Sequence, residues 1–144
     1  MLTNEMTVFL IDDDDVACES VIRSFKKHDI PFNIVTANDG VEGLEILRNQ
    51  HPKKNIHDPF LILLDLNMPR MNGFEFLDEL RDDPNLNNCV VFVLTTSNND
   101  SDRAKAYNKQ IAGYMVKSEV GPQFAKLSNL LTQYKAAVTL PRAS

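Results

Sequence analysis

Carboxylates, hydroxyls and a lysine directly follow four strongly apolar runs of this chain. The apolar runs are Val8–Ile11, Phe60–Leu64, Val90–Leu94 and Gly113–Val116. The polar residues that follow them are Asp12–Asp15, Asp65, Thr95–Ser97 and Lys117. Short apolar runs of this kind are typical of strands buried on both faces of a parallel sheet. Because ligands bind outside the carboxyl ends of such strands, we expect the four polar groups to share one site.

The chemistry that this set favours is metal-assisted phosphoryl transfer. Carboxylates gathered in one pocket repel one another unless a cation joins them, and a few carboxylates plus water suit Mg²⁺. Asp65 then remains ionised and able to act as a nucleophile, as carboxylates do when they form aspartyl phosphates. Lys117 and the hydroxyl of Thr95 are candidates to bind two phosphoryl oxygens.

Strand and helix patterns alternate five times along the chain. The predicted strands are 6–11, 32–37, 60–65, 89–95 and 113–117, and the predicted helices are 15–28, 39–47, 73–81, 100–110 and 120–134. Asp14 or Asp15 is predicted to cap the first helix and Asn38 the second. Right-handed crossovers favour a doubly wound α/β fold with a five-stranded parallel sheet of order 2-1-3-4-5. In that order Asp12 and Asp13 lie beside Asp65.

Size and composition indicate one cytoplasmic domain. The chain has 144 residues, a length that suits a single core, and its formal charge of −5 argues against non-specific nucleic-acid binding. We find no apolar stretch near the roughly 18–20 residues of a membrane span and no signal peptide. Cys18 and Cys89 fall in apolar segments and are interpreted as reduced core residues.

The sequence resembles bacterial response-regulator receiver domains. The resemblance is carried by Leu10–Asp13, by Leu64–Gly73 (LDLNMPRMNG), by Val93–Ser97 and by Gly113–Lys117. It covers residues 5–136 and leaves a C-terminal tail, 137–144. The loop 51–59 and the Leu-Thr-Thr-Ser segment are similar to those of stand-alone regulators that partner phytochromes. The resemblance implies a flavodoxin-like fold and a role in two-component signalling rather than an enzyme acting on other substrates.

Site roles follow from the resemblance residue by residue. It implies that Asp65 is the phosphoacceptor, that Thr95 and Lys117 bind the phosphoryl group, and that Thr95 and Tyr114 form a switch pair. The implied Mg²⁺ ligands are Asp13, Asp65, the backbone carbonyl of Asn67 and, through water, Asp12. The implied partners are a histidine kinase or phosphotransfer protein and a downstream protein that contacts helix 4, strand 5 and helix 5. Homodimerisation through that face or through the tail is left open.

Two further expectations concern the rim of the site. Receivers of this kind tune the lifetime of the phosphorylated state at positions that correspond to Asn67, Thr96 and Ser97. The family usually has a proline, joined by a cis peptide, after the conserved lysine, whereas Ser118 follows Lys117 here. Because a cis bond before a non-proline residue costs about 2.5–4 kcal/mol, the approach of Lys117 to the site is left open.

Two other functional classes remain as alternatives. Asp12-x-Asp14-x-Val16 also fits the first motif of haloacid-dehalogenase-type phosphatases, with Asp12 as nucleophile and Asp14 as acid/base. The short chain and the missing late acidic pair argue against that enzyme. The second alternative is a binding module of receiver type that works without phosphorylation, which the intact Asp65, Thr95 and Lys117 disfavour.

Overall fold

One parallel sheet of five strands organises the protein. The computed structural model describes residues 6–120 and 124–141. The strands are β1 Thr7–Ile11, β2 Asn33–Ala37, β3 Phe60–Leu64, β4 Val91–Thr95 and β5 Gly113–Val116. Their order is β2-β1-β3-β4-β5, and every neighbouring pair is parallel, which confirms the predicted doubly wound fold.

In residues 6–120 and 124–141, five α-helices cover the two faces of the sheet. They are α1 Asp15–Lys27, α2 Gly40–Leu47, α3 Gly73–Asp82, α4 Asp100–Tyr107 and α5 Ala125–Ala137, with a 3-10 turn at Lys117–Glu119. Side chains of α2, α3 and α4 pack with one face of the sheet, and those of α1 and α5 pack with the other. β1, β3 and β4 are buried along their whole length. Three of the four apolar runs are therefore strands covered on both sides. The fourth prediction was wrong in this respect, because β5 is only partly buried at Gly113, Tyr114 and Met115.

Several element boundaries differ from the predictions. Asp39, not Asn38, caps α2, because its carboxylate accepts the Glu42 amide while the Asn38 amide donates to the Glu42 side chain. α4 ends at Tyr107, and Gln110 has a φ of 64°. The last helix begins at Ala125 instead of residue 120. The expected domain start at residue 5 and the tail residues 142–144 lie outside the described residues.

The polar loop between α2 and β3 covers the outer edge of β2. The ring Nδ1 of His51 accepts the backbone amides of Lys53 and Lys54, at 3.1 and 2.9 Å. Lys54 Nζ then donates to the carbonyl oxygen of Thr36 at 2.8 Å. β2 is an edge strand of the sheet. The loop therefore places the charged ammonium group of Lys54 against the free edge of β2.

The two cysteines lie in the core, as their positions in apolar segments predicted. Cys18 and Cys89 are buried free thiols. None of the helices in the described parts of the chain has the length and apolar character that a membrane span requires.

Candidate functional site

The sheet register brings the predicted polar groups to one edge. Ile11 pairs with Leu64 and Leu64 with Val93, so Asp12 and Asp65 follow neighbouring strands directly. Thr95 pairs with Val116, which places the end of β4 beside the start of the segment that carries Lys117. The predicted polar groups therefore lie together at the carboxyl edge of the sheet.

Three carboxylates meet at this edge. One oxygen each from Asp12, Asp13 and Asp65 lie within 4.8 Å of one another. Asp12 is 1% exposed and Asp65 is 6% exposed, whereas Asp13 faces solvent. Two buried carboxylates and one exposed carboxylate form a donor set open on one side, which suits a hard divalent cation that keeps part of its water shell. The residues present thus fit a magnesium ion.

Backbone amides fix the two buried carboxylates. Asp12 Oδ1 accepts the Asp14 amide at 2.9 Å, and Asp65 Oδ1 accepts the Leu66 amide at 2.7 Å. A Cβ at Gly73 would lie 2.6 Å from the carbonyl oxygen of Asp65, so glycine is required where α3 begins behind the end of β3. Backbone contacts therefore orient the carboxylates of Asp12 and Asp65.

Lys117 reaches the carboxylates although its peptide bond to Ser118 is trans. Within 6–120 and 124–141, the only cis peptide is Asp58–Pro59. Lys117 Nζ lies 2.7 Å from Asp12 Oδ2 and 3.6 Å from Asp65 Oδ2, at the start of the 3-10 turn. The question that Ser118 raised is thereby answered, since a trans path brings the ammonium group to the site.

Burial disfavours the charged forms of Asp12 and Lys117, whereas their mutual attraction favours them. Burial raises the pKa of Asp12 to about 6, despite the hydrogen bonds from Lys117 and the Asp14 amide. Burial acts to lower the pKa of Lys117. The hydrogen bond to Asp12 and the negative charges of Asp12 and Asp65 outweigh burial, so the pKa of Lys117 lies above its ordinary value. Lys117 therefore stays cationic at neutral pH, while Asp12 titrates just below neutrality.

Mg²⁺ affinity is expected to fall by about tenfold between about pH 7 and about pH 5. A carboxyl with a pKa near 6 is largely protonated at the lower pH, and protons then compete with the cation. Because this pKa lies above that of the unfolded chain, the group's contribution to metal-free stability is complete below about pH 4 and lost as pH rises through about 6. Calorimetric titration with Mg²⁺ measures the affinity. Asp12→Asn should bind weakly with no pH dependence in this window, and a wild-type affinity constant from pH 5 to 7 would contradict the assignment.

Thr95 and Tyr114 both contact the β4–α4 loop, residues 96–99. Thr95 is fully buried, and its Oγ1 accepts the Ser97 amide at 3.4 Å. The Tyr114 hydroxyl donates to the carbonyl oxygen of Ser97 at 3.0 Å. The Arg103 guanidinium lies 5.5 Å from the centre of the Tyr114 ring. Both members of the predicted pair thus contact the same loop residue.

The three rim residues differ in their surroundings. Asn67 and Thr96 are exposed beside the site, whereas the Ser97 hydroxyl donates to Asp102 Oδ2 at 2.7 Å. Sequence reasoning missed Asp102. A signal was present, since Asp102 stands three residues after Asn99, the cap of α4, where a carboxylate usually satisfies the helix start. Here that carboxylate holds the loop instead.

The phosphatase alternative does not fit the observed roles of its residues. Asp14 Oδ1 caps α1 by accepting the amides of Val16 and Ala17, at 3.0 and 3.2 Å. Asp12 is hydrogen-bonded to Lys117. Asp14 is therefore engaged in helix capping rather than placed to move protons for Asp12.

Comparison with known proteins assigns this chain to a family. The family model of the response regulator receiver domain matches residues 8–128 of this chain. The chain belongs to the response regulator receiver family. This receiver domain is 31% identical to the response regulator Rcp1 of Synechocystis over 137 residues, which cover 94% of this chain and 93% of Rcp1.

Solved structures of receivers agree with the assignment. The phosphorylated cyanobacterial phytochrome response regulator RcpA superposes with a TM-score of 0.83 at 31% identity, covering 95% of this chain and 99% of RcpA. The Mn²⁺-bound form of Rcp1 gives a TM-score of 0.81 at 31% identity, over 94% and 98% of the two chains. A two-component response regulator from Legionella pneumophila is 32% identical with a TM-score of 0.79, over 93% of this chain and all of that one. The receiver is thus similar along nearly its whole length to solved response regulators, one of which is a cyanobacterial phytochrome response regulator.

Proposed function

We propose that this receiver accepts a phosphoryl group on Asp65 from a histidine kinase or phosphotransfer protein and signals through the resulting change of shape. The observation that carries the proposal is the cluster of Asp12, Asp13 and Asp65 with Lys117 Nζ 3.6 Å from the acceptor carboxylate. A cation held by these carboxylates, together with the nearby ammonium group of Lys117, would suit the binding of an anionic phosphoryl group.

The transfer breaks a P–N bond and forms a P–O bond. An oxygen of the Asp65 carboxylate attacks the phosphorus of a phosphohistidine, the imidazole leaves with the bonding electron pair and takes up a proton, and an acyl phosphate results. Bound Mg²⁺ would neutralise part of the phosphoryl charge. The proposed metal ligands are Asp13, Asp65 and the Asn67 carbonyl, with Asp12 behind. Lys117 and Thr95 would hold phosphoryl oxygens.

The signal is proposed to pass through Thr95 and Tyr114. Movement of the Thr95 hydroxyl toward the phosphoryl group would shift the β4–α4 loop, whose Ser97 carbonyl holds the Tyr114 hydroxyl. The surface of α4, β5 and α5 would then change between two pre-existing states, and a downstream protein would bind one of them. The protein therefore acts on its own aspartate rather than as an enzyme on other substrates, and it would work in the cytoplasm beside the kinase.

Labelling tests this proposal directly. The protein is incubated with acetyl phosphate and Mg²⁺, and its intact mass is measured after short incubation. Gain of one phosphoryl group, lost when EDTA is added first, is the expected result. Profiling against the histidine kinases of the host, phytochrome-type kinases first, would identify the donor. Absence of labelling with every donor would favour the phosphorylation-independent binding module instead.

The lifetime of the phosphorylated state is expected to depend on Asn67 and Thr96. Asn67→Arg should slow hydrolysis by roughly tenfold, because a long cation would contact the phosphoryl oxygens and displace the attacking water. Thr96→Ala should speed hydrolysis by opening access to the group. Ser97 is expected to matter less, since Asp102 already holds its hydroxyl.

Decay of the phosphorylated protein after donor removal measures these rates. Asn85→Arg is the matched control, because it adds the same cation at an exposed asparagine between α3 and β4, away from the carboxyl edge of the sheet. Equal decay of wild type, Asn67→Arg and Thr96→Ala would show that the rim residues do not set the lifetime.

A further inference from the structure

An ion pair outside the site joins the loop that follows the acceptor to the start of α2. Arg70 Nε lies 2.7 Å from Asp39 Oδ2, and Arg70 NH2 lies 3.1 Å from Asp39 Oδ1, so the contact is bidentate. Asp39 is 5% exposed, and its Oδ1 also accepts the Glu42 amide at 2.9 Å. One buried carboxylate therefore caps α2 and anchors Arg70 at the same time.

The backbone at Arg70 is held in a strained turn. Its φ is 62°, in the left-handed region, and the Met71 amide donates to the Pro69 carbonyl at 2.7 Å across it. A three-residue turn with positive φ at its centre is a rare conformation, and for a non-glycine residue it persists only where surrounding contacts impose it. The bidentate contact with Asp39 supplies such a constraint.

Two further contacts tie the same loop, residues 66–72, to its surroundings. The Gly40 amide donates to the Met71 carbonyl at 3.4 Å, and a Cβ at Gly40 would lie 2.8 Å from Met71 Cγ. At the base of the loop the Gly73 amide donates to the Leu66 carbonyl at 2.9 Å. The loop is thus closed at its base and fastened to the first turn of α2 near its tip.

We propose that Arg70 and Asp39 are a positioning pair, which holds the 66–72 loop in the shape that presents the Asn67 carbonyl to Mg²⁺. The inference rests on the proposed function, because it concerns the metal site beside Asp65. Neither side chain belongs to the carboxylate cluster. They act through the backbone, since Asn67 lies three residues before Arg70 in the same closed loop.

Long-range electrostatics and the positioning role predict opposite changes in Mg²⁺ affinity for Arg70→Gln. Arg70→Gln removes a positive charge from the neighbourhood of a cation site, so long-range attraction alone would strengthen Mg²⁺ binding. Loss of positioning would weaken it. Asp39→Asn keeps an oxygen that can accept the Glu42 amide but removes the charge that holds Arg70. The positioning role requires both variants to bind Mg²⁺ more weakly.

Calorimetric titration of the metal-free protein with Mg²⁺ is the test. We expect Arg70→Gln and Asp39→Asn to lose roughly fivefold or more in affinity, and the double variant to lose no more than the larger single loss. Arg70→Lys keeps the charge without the second contact and should be intermediate. At saturating Mg²⁺, labelling by acetyl phosphate should recover in all of these variants.

Arg48→Gln is the matched control. Arg48 also bridges acidic side chains, Asp83 at 3.1 Å and Glu79 at 3.4 Å, and its replacement changes the net charge equally. We expect its Mg²⁺ affinity to equal that of wild type. Hydrogen exchange of the 66–72 amides in the metal-free protein should quicken in Arg70→Gln and stay unchanged in Arg48→Gln.

Two results would overturn the inference in distinguishable ways. Mg²⁺ affinity in Arg70→Gln that equals or exceeds wild type, with binding lost in Asp13→Ala, removes the role of the pair and leaves the metal site intact. Mg²⁺ affinity retained in Asp13→Ala removes the metal site itself. If Arg70→Gln does not fold, Arg70→Lys decides the question, and wild-type affinity there likewise contradicts the positioning role.

Discussion

Asp65→Asn is expected to reduce phosphorylation by acetyl phosphate, or by a phosphorylated kinase domain, at least about a hundredfold. The carboxylate oxygen that would form the bond to phosphorus is replaced by an amide group, which is a far poorer nucleophile. The side chain keeps its shape and an oxygen that can accept the Leu66 amide, which holds Asp65 Oδ1 at 2.7 Å. The fold should therefore persist while the chemistry is lost.

Phosphate incorporation from a radiolabelled donor in the presence of Mg²⁺ measures this effect. Asp78→Asn is the matched control, because it makes the same chemical change on the exposed surface of α3 and should label normally. Circular dichroism confirms that the variants are folded. Full labelling of Asp65→Asn, with the phosphate mapped to another residue, would refute Asp65 as the acceptor.

Asp13→Ala is expected to abolish the stabilisation that Mg²⁺ gives to the protein, while raising the thermal stability of the metal-free form. Asp13 contributes a carboxylate oxygen to a cluster in which three such atoms lie within 4.8 Å. Without metal these like charges repel one another, so removing one relieves the repulsion. The gain should be small, because Asp13 is exposed and solvent screens its charge. The loss of the Mg²⁺ response should be complete.

Thermal melts with and without Mg²⁺ separate the two effects. Asp15→Ala is the control, since Asp15 is an exposed aspartate in the first turn of α1 that lies outside the cluster. It should keep the wild-type Mg²⁺ response. An unchanged response in Asp13→Ala would show that the cation binds elsewhere.

The sheet and the site could be predicted from sequence for the same physical reason. Runs such as Phe60–Leu64 contain only apolar residues, and a strand without a polar face must be covered on both sides. Parallel strands end at one edge, so a carboxylate after one strand and a lysine after another must meet there. Lys117 Nζ lies 3.6 Å from Asp65 Oδ2 although the two residues are far apart in sequence.

The contacts that escaped prediction depend on loop conformation. Arg70 and Asp39 pair across two connections between elements, and neither residue follows a periodic pattern. The cap of α2 was placed one residue early because Asn38 and Asp39 are both good capping residues. The choice between them depends on which side chain can reach the Glu42 amide. The trans path of Lys117–Ser118 likewise depends on the 3-10 turn that follows β5.

The loop over β2 has a consequence for how these molecules behave when crowded. An edge strand offers unpaired backbone groups to any other strand, including that of a second copy. Lys54 Nζ donates a hydrogen bond to the Thr36 carbonyl on that edge. Another chain could therefore add a sixth strand there only by displacing or burying the ammonium group. Sheet growth from β2 is therefore unfavourable. The loop thus protects the free edge of this receiver's sheet against backbone pairing with a second copy.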